Sequence, residues 1–217
     1  MNHPLDIDPA SDLFARLRHQ AARLPLEIAT DSSRRAISYR RLWSRIERAT
    51  ARLQGEWHVQ SGDCIVYWGN AHPDALILYI AVARCNARLL PLERAALREH
   101  ATEIGAHYQP KAIVHDDGLH PPARLAAPVV ASLPDLLSVR CHYDEEVEEN
   151  DALPSLIDLD WQSGGLVERS YSLHQLMQMD NTNADSDTSV QAELFDPVML
   201  ATRIFPALMR GDALTFR

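Results

Sequence analysis

The sequence predicts an α/β fold, a layered sheet flanked by helices. Three observations carry that expectation. Cys64, Ile65, Val66, Tyr67 and Trp68 form a continuous apolar run between Asp63 and Gly69, the pattern of a strand buried on both faces of a parallel sheet. Strand-like and helix-like segments alternate from that run to His115, as right-handed crossovers require. Two amphipathic helices precede the run, and such helices cover a sheet face.

The elements follow in order. Ser11 is placed to cap a helix that carries Leu13, Phe14, Leu17, Ala21 and Leu24 on one face and stops at Pro25. Ser38 starts a second helix, with Leu42, Ile46, Ala49 and Leu53 inward and an end near Gly55. After the buried strand come a helix from Pro73 to about Asn86, a strand from Arg88 to Leu90, a helix from Arg94 to Ala106 and a strand from Lys111 to His115. Asp116, Asp117 and Gly118 make a turn, and Val129 to Ala131 and Ser138 to Tyr143 are weaker strand candidates. Leu156 to Trp161 reads as a strand running into a Ser163, Gly164, Gly165 turn, with a helix from Ser172 to about Met179. Asn181 to Ser189 is a polar loop, Pro197 to Arg210 a helix, and Ala213 to Phe216 a short strand. This organisation suggests an α/β lobe over residues 1–143, an acidic linker over 144–151 and a second, partial lobe over 152–217.

Composition narrows the function. With 46% hydrophobic and 24% charged residues the chain has the means to bury a substantial core. Its net charge of −9 has the wrong sign for a nucleic-acid partner. Asp144, Glu145, Glu146, Glu148, Glu149 and Asp151 supply much of that charge; adjacent carboxylates in an extended segment suit a solvated linker better than a metal site. The longest apolar run, Ala75 to Ala83, is about half of what a bilayer needs, and no basic region followed by an apolar stretch opens the chain. A cytoplasmic protein with no membrane partner is expected. Cys64, Cys85 and Cys141 have no C-x-x-C spacing and read as reduced core residues. His100, His107, His115 and His120 lack ligand spacing, so no metal is expected. Arg40, Arg41, Arg45, Arg48 and Arg52 form a solvated helix face that is also suited to docking an acidic partner.

Four short strings share an order with a known family. Ile37 to Leu42 resembles an "ltYreL" helix start, Ser61-Gly62-Asp63 a "pGD" turn, Trp68 to Asp74 an "xxNxxE" loop, and Ala81 to Leu92 an "AvlraGAvvvPL" stretch. Together they resemble the opening of adenylate-forming enzymes, the superfamily of acyl-CoA synthetases, luciferases and peptide-synthetase adenylation domains. The fold this implies is that of their amino-terminal subdomain. Phe195-Asp196-Pro197 and the residues to Leu214 resemble the family's "FDxSvxeifpaLlaGatLvl" stretch, in which the aspartate binds the substrate amino group. The resemblance makes Asp196 a candidate ammonium ligand; locally, Asp before Pro is also what caps a helix, and that reading is favoured.

The family surrounds the phosphates of ATP with a loop written T-S-G-T-T-G-x-P-K-G, whose amides and hydroxyls lower the cost of the charge that develops there. The corresponding stretch here is Gln162, Ser163, Gly164, Gly165, Leu166, Val167, Glu168, Arg169, Ser170. Ser163 and Gly164 match, Gly165 adds a second glycine, and Arg169 stands where the lysine is expected. The threonine pair and the proline are missing, Leu166 and Val167 replace hydroxyls, and Glu168 opposes a polyanion. ATP and magnesium are expected only if this degenerate loop still binds. The sequence ends at Arg217 without counterparts of the adenine-binding strand, the "YGxTE" segment, the ribose-binding aspartate or the domain with the catalytic lysine. The resemblance therefore implies a chain with no catalytic residues of its own, acting as a binding or scaffold module. A homodimer or protein partner would cover the face left by the missing domain. Two alternatives stand beside it: half of a split acyl- or aminoacyl-adenylating ligase, and an ATP-independent binder of a small carboxylic or amino acid.

Overall fold

The apolar run at 64–68 becomes a central strand of a six-stranded sheet. The structure, a computed structural model, describes residues 12–33, 35–93, 95–138, 149–162, 165–179, 188–190 and 194–217. Among these the order is α1 (Leu13–Arg23), β1 (Ile28–Ser32), β2 (Ala36–Ser38), α2 (Tyr39–Gly55), β3 (Cys64–Trp68), α3 (Pro73–Arg84), β4 (Arg88–Pro91), α4 (Ala95–Glu99), α5 (Ala101–Tyr108), β5 (Ala112–His115), β6 (Val129–Ser132), α6 (Leu133–Ser138), β7 (Pro154–Gln162), β8 (Gly165–Ser172), α7 (Leu173–Gln178), β9 (Ser189–Val190), α8 (Pro197–Met199), a π-helical segment (Leu200–Ile204), α9 (Phe205–Arg210) and β10 (Leu214–Phe216). The large sheet runs β6-β5-β3-β4-β7-β8, parallel throughout except for the β7–β8 hairpin. A smaller sheet runs β2-β1-β10-β9, with β2 antiparallel to β1 and the rest parallel.

Side chains of β3 alternate between two cores, as the period of a strand demands. Ile65 and Tyr67 join the larger core, which also holds α1, α2, α3, α6 and α9. Cys64 and Val66 join the smaller one, closed by Leu97, Ala101 and Ile104 from α4 and α5 and by Leu125. Helix α3 is apolar nearly all round, and its residues from Ala75 to Ala83 are all buried against the sheet and α2. Residues on both sides of the 144–151 stretch interleave: β7 and β8 extend the sheet begun by β3, and β10 pairs with β1. Residues 144–148 lie outside the described residues; Glu149 is held by Arg84 at 2.8 Å and Arg18 at 3.4 Å.

Several elements differ from the sequence-based expectation. Ser11 lies outside the described residues, and the cap of α1 is Asp12, whose Oδ1 accepts from the amides of Phe14 (2.9 Å) and Ala15 (3.2 Å). The expected helix over 94–106 is two helices that break at His100, where the backbone leaves helical dihedrals (φ −102°, ψ 12°). Ser138 ends α6 rather than starting a strand, and 139–143 lie outside the described residues. The helix over 197–210 is present but widens into a π segment just before Pro206. Proline has no N–H for the α-helical ladder, and the wider turn accommodates its ring. Strands β1, β2 and β8 had no clear sequence signal; they are short or polar, and each depends on distant partners.

Candidate functional site

In an open α/β sheet the ligand crevice forms beyond the carboxyl ends of the strands, where successive connections leave toward opposite faces. Here that place lies between β3 and β4: the chain leaves β3 for α3 in the larger core and leaves β4 for α4 in the smaller. Because β7 is parallel to β4, its end at Gln162 belongs to the same edge.

Polar groups concentrate at the same edge, beyond the ends of β3 and of β5 on its other side. Asp116, directly after β5, accepts three hydrogen bonds: from the Tyr67 hydroxyl (2.7 Å), His72 Nε2 (2.7 Å) and the amide of Asn70 (2.7 Å). His72 Nδ1 accepts from the amide of Asp74 at 3.2 Å, capping α3, so the ring proton sits on Nε2 and points at Asp116. Burial pushes the Asp116 carboxyl up, but the bonds from His72, Tyr67 and Asn70 outweigh it and hold the group below its ordinary pKa. Burial, and then the Asp116 carboxylate, push the Tyr67 phenol far above its ordinary value. Both nitrogens of His72 are occupied, Tyr67 stays protonated and Asp116 holds three donors. The cluster therefore fixes the Trp68–Asp74 loop and offers no free base or nucleophile.

Arg98 closes the crevice. Its guanidinium stacks over Trp68 (5.4 Å) and donates to the carbonyls of Leu92 (2.7 Å) and Gly69 and to Asn70 Oδ1 (3.2 Å), tying the ends of β3 and β4 together. At Gly69 a Cβ would run into the Tyr67 ring, so glycine is needed for the loop to lie against it.

The residues singled out from sequence are placed as follows. Ser163 and Gly164 lie outside the described residues. Gly165 opens β8 at φ +118°, and β7 and β8 pair as far as Gln162 opposite Gly165, leaving two residues between them. Arg169 is exposed in β8, opposite Asp158. It lies four residues back from Gly165, roughly 13 Å at strand spacing. Its neighbour Glu168 accepts from the Tyr108 hydroxyl at 2.7 Å. Asp196 is at the N-cap of α8, its Oδ1 accepting from the amide of Met199 at 2.9 Å. The preceding Phe195 donates its amide to Glu93 Oε1 (3.3 Å) and packs edge-on against Tyr67 at 5.7 Å and Tyr79 at 6.0 Å. The fold thus brings Gly165 and Asp196 to one sheet edge and leaves Arg169 away from it.

Sequence reasoning missed Tyr67, His72, Arg98 and Asp116. The available signal was positional: three of them sit in or just after the buried strands at 64–68 and 112–115, where parallel sheets gather their polar groups. Among the described residues no group of three or more His, Cys, Asp or Glu could hold a metal ion, and no helix is long and apolar enough to cross a membrane.

Comparison with known proteins gives a consistent picture. A family model described as AMP-binding enzyme matches residues 17–195. The Klebsiella oxytoca NpsA N-terminal subdomain, in complex with 3-hydroxybenzoyl-AMSN, superposes with a TM-score of 0.75 at 19% identity, covering 100% of this chain and 56% of that one. The Mycobacterium tuberculosis fatty acyl CoA synthetase gives 0.73 at 14% identity, covering 97% and 45%. The inhibitor-bound N-terminal domain of FACL13 from the same organism gives 0.74 at 14%, covering 95% and 57%. The chain spans about half the length of these structures, and at such identities the likeness is one of fold. No curated protein sequence matches it.

Proposed function

Because this chain belongs to the AMP-binding enzyme family, with the fold of the amino-terminal subdomain of adenylate-forming enzymes, we propose that it is a non-catalytic member acting as a binding or scaffold module. One observation carries this reading. The β7–β8 hairpin pairs down to Gln162 and Gly165, so of the nine residues that correspond to the family's ten-residue phosphate loop, six (165–170) belong to strand β8 and two are left between the strands. A triphosphate needs several convergent amides and hydroxyls together with a cation. Two connecting residues do not supply that set.

The flanking side chains point the same way. Arg169 is locked into strand register opposite Asp158, roughly 13 Å from the hairpin end, beyond the reach of its own side chain. Glu168, engaged by Tyr108, adds negative charge to the same strand. The residues present do not fit ATP with magnesium. Asp196 spends one oxygen as a helix cap, which supports a structural role over ammonium recognition. A cytoplasmic setting, and a second copy or protein partner, belong to the same proposal.

The test is Mg-ATP titration and carboxylate-dependent pyrophosphate exchange on the purified protein, alone and with the product of any adjacent gene. No binding in the micromolar range and no exchange is the expected result. Exchange that appears only on mixing would favour the split-ligase alternative and refute the scaffold reading.

A further inference from the structure

Five arginines of α2 divide into two sets. Arg45 is engaged by Asp74 at 2.9 Å; Arg52 pairs with Glu56 at 2.9 Å, donates to the carbonyl of Asp135 and lies over Trp57. Arg40, Arg41 and Arg48 form no ion pair among the described residues, and Arg48 turns its Nε onto the Ser44 carbonyl of its own helix at 3.1 Å. This is notable in a chain with a net charge of −9, where carboxylates are plentiful.

The unpaired set is not scattered. Arg40, Ser44 and Arg48 follow one another at four-residue steps, with Arg41 beside them, so all four share one strip of the helix. That strip, with Pro25, Leu26 and Ser38, encloses a groove of about 270 Å³. The groove reaches the start of a 17-residue helix, where Ser38 makes no side-chain cap and the first-turn amides add their partial positive charge. Like charges gathered in a concave site repel one another until an anion joins them. Planar guanidinium forks beside hydroxyls match phosphate oxygens in geometry as well as charge.

We propose that this groove binds a phosphate monoester carried by a small molecule. Its volume falls just below the roughly 300–1,000 Å³ of pockets that hold drug-sized ligands, enough for a phosphate head and a few carbons but not for a nucleoside triphosphate. Leu26, 82% exposed, and Pro25 give the carbon portion an apolar wall. The site lies on the outer strip of α2, away from the β7–β8 hairpin, and does not rest on the reading given under Proposed function.

Isothermal titration of the purified protein with glycerol phosphate at low ionic strength, beside inorganic phosphate and sulfate, tests the proposal. Saturable binding of the monoester is expected. It should weaken at least tenfold in Arg40→Ala/Arg41→Ala with the melting temperature unchanged, weaken likewise in Arg48→Glu, remain in Arg124→Ala, and fall as salt is added. No saturable binding, or binding indifferent to both groove variants, overturns it. So does a glutamate-rich peptide that binds through the same arginines while the monoester does not, because the groove is then a protein-docking surface.

Discussion

Replacing Asp116 with asparagine tests how the sheet edge is held. The carboxylate accepts from three donors, each at 2.7 Å. Asparagine of nearly the same size has one acceptor oxygen and one amide group, so at least one of Tyr67, His72 and the Asn70 amide is left facing a donor. A hydrogen bond to a charged acceptor in a buried site contributes about 1.5–3 kcal/mol, and an orphaned donor adds its desolvation. A loss of about 2–3 kcal/mol follows, which for a chain of this size lowers the melting temperature by roughly 4–12 °C. The pH dependence has a definite sign. The folded-state pKa of Asp116 is below its ordinary value, so the group contributes stability above its unfolded pKa and loses it as pH falls through the folded one. Wild-type stability should therefore drop below about pH 4, and Asp116→Asn should lose part of that acid dependence. Thermal melts by circular dichroism between pH 3 and 7 read both effects. Equal melting temperatures and an unchanged acid limb would show that the three bonds do not hold the loop.

Other perturbations have equally definite outcomes. Gly69→Ala drives a methyl into the Tyr67 ring and should cost about 1–3 kcal/mol of overpacking, seen as a lower urea midpoint with an unchanged slope. Asp196→Ala removes the α8 cap and should cost about 1 kcal/mol while Asp196→Asn costs little; if alanine is neutral but abolishes binding of an amino acid by calorimetry, the aspartate is a ligand group instead. Burial pushes the thiols of Cys64 and Cys85 up to about 12, so in a Cys141→Ser variant neither should react with a disulfide reagent at pH 8 until the protein unfolds. Prompt native-state labelling would contradict their burial.

The parts legible in the sequence were those set by local pattern. The uninterrupted apolar run of β3, the inward stripe of α2 and the Asp-Pro start of α8 each carry their signal within a few residues. What stayed hidden depends on contacts distant in sequence. β1 is defined by pairing with β10 at the far end of the chain, and β8, with Glu168, Arg169 and Ser170 exposed, shows its strand character only against β7. The Asp116 cluster joins residues 44 to 49 positions apart, which no local spacing reveals. Of the residues chosen by resemblance, Gly165 and Arg169 fall in β8, on one arm of the β7–β8 hairpin. They could not show that strand pairing continues to its end.

The central claim, that this hairpin cannot wrap a triphosphate, is tested most directly by calorimetric titration of the purified protein with Mg-ATP. No saturable heat up to millimolar nucleotide is the expected result; a micromolar dissociation constant abolished by altering residues 163–165 would contradict it.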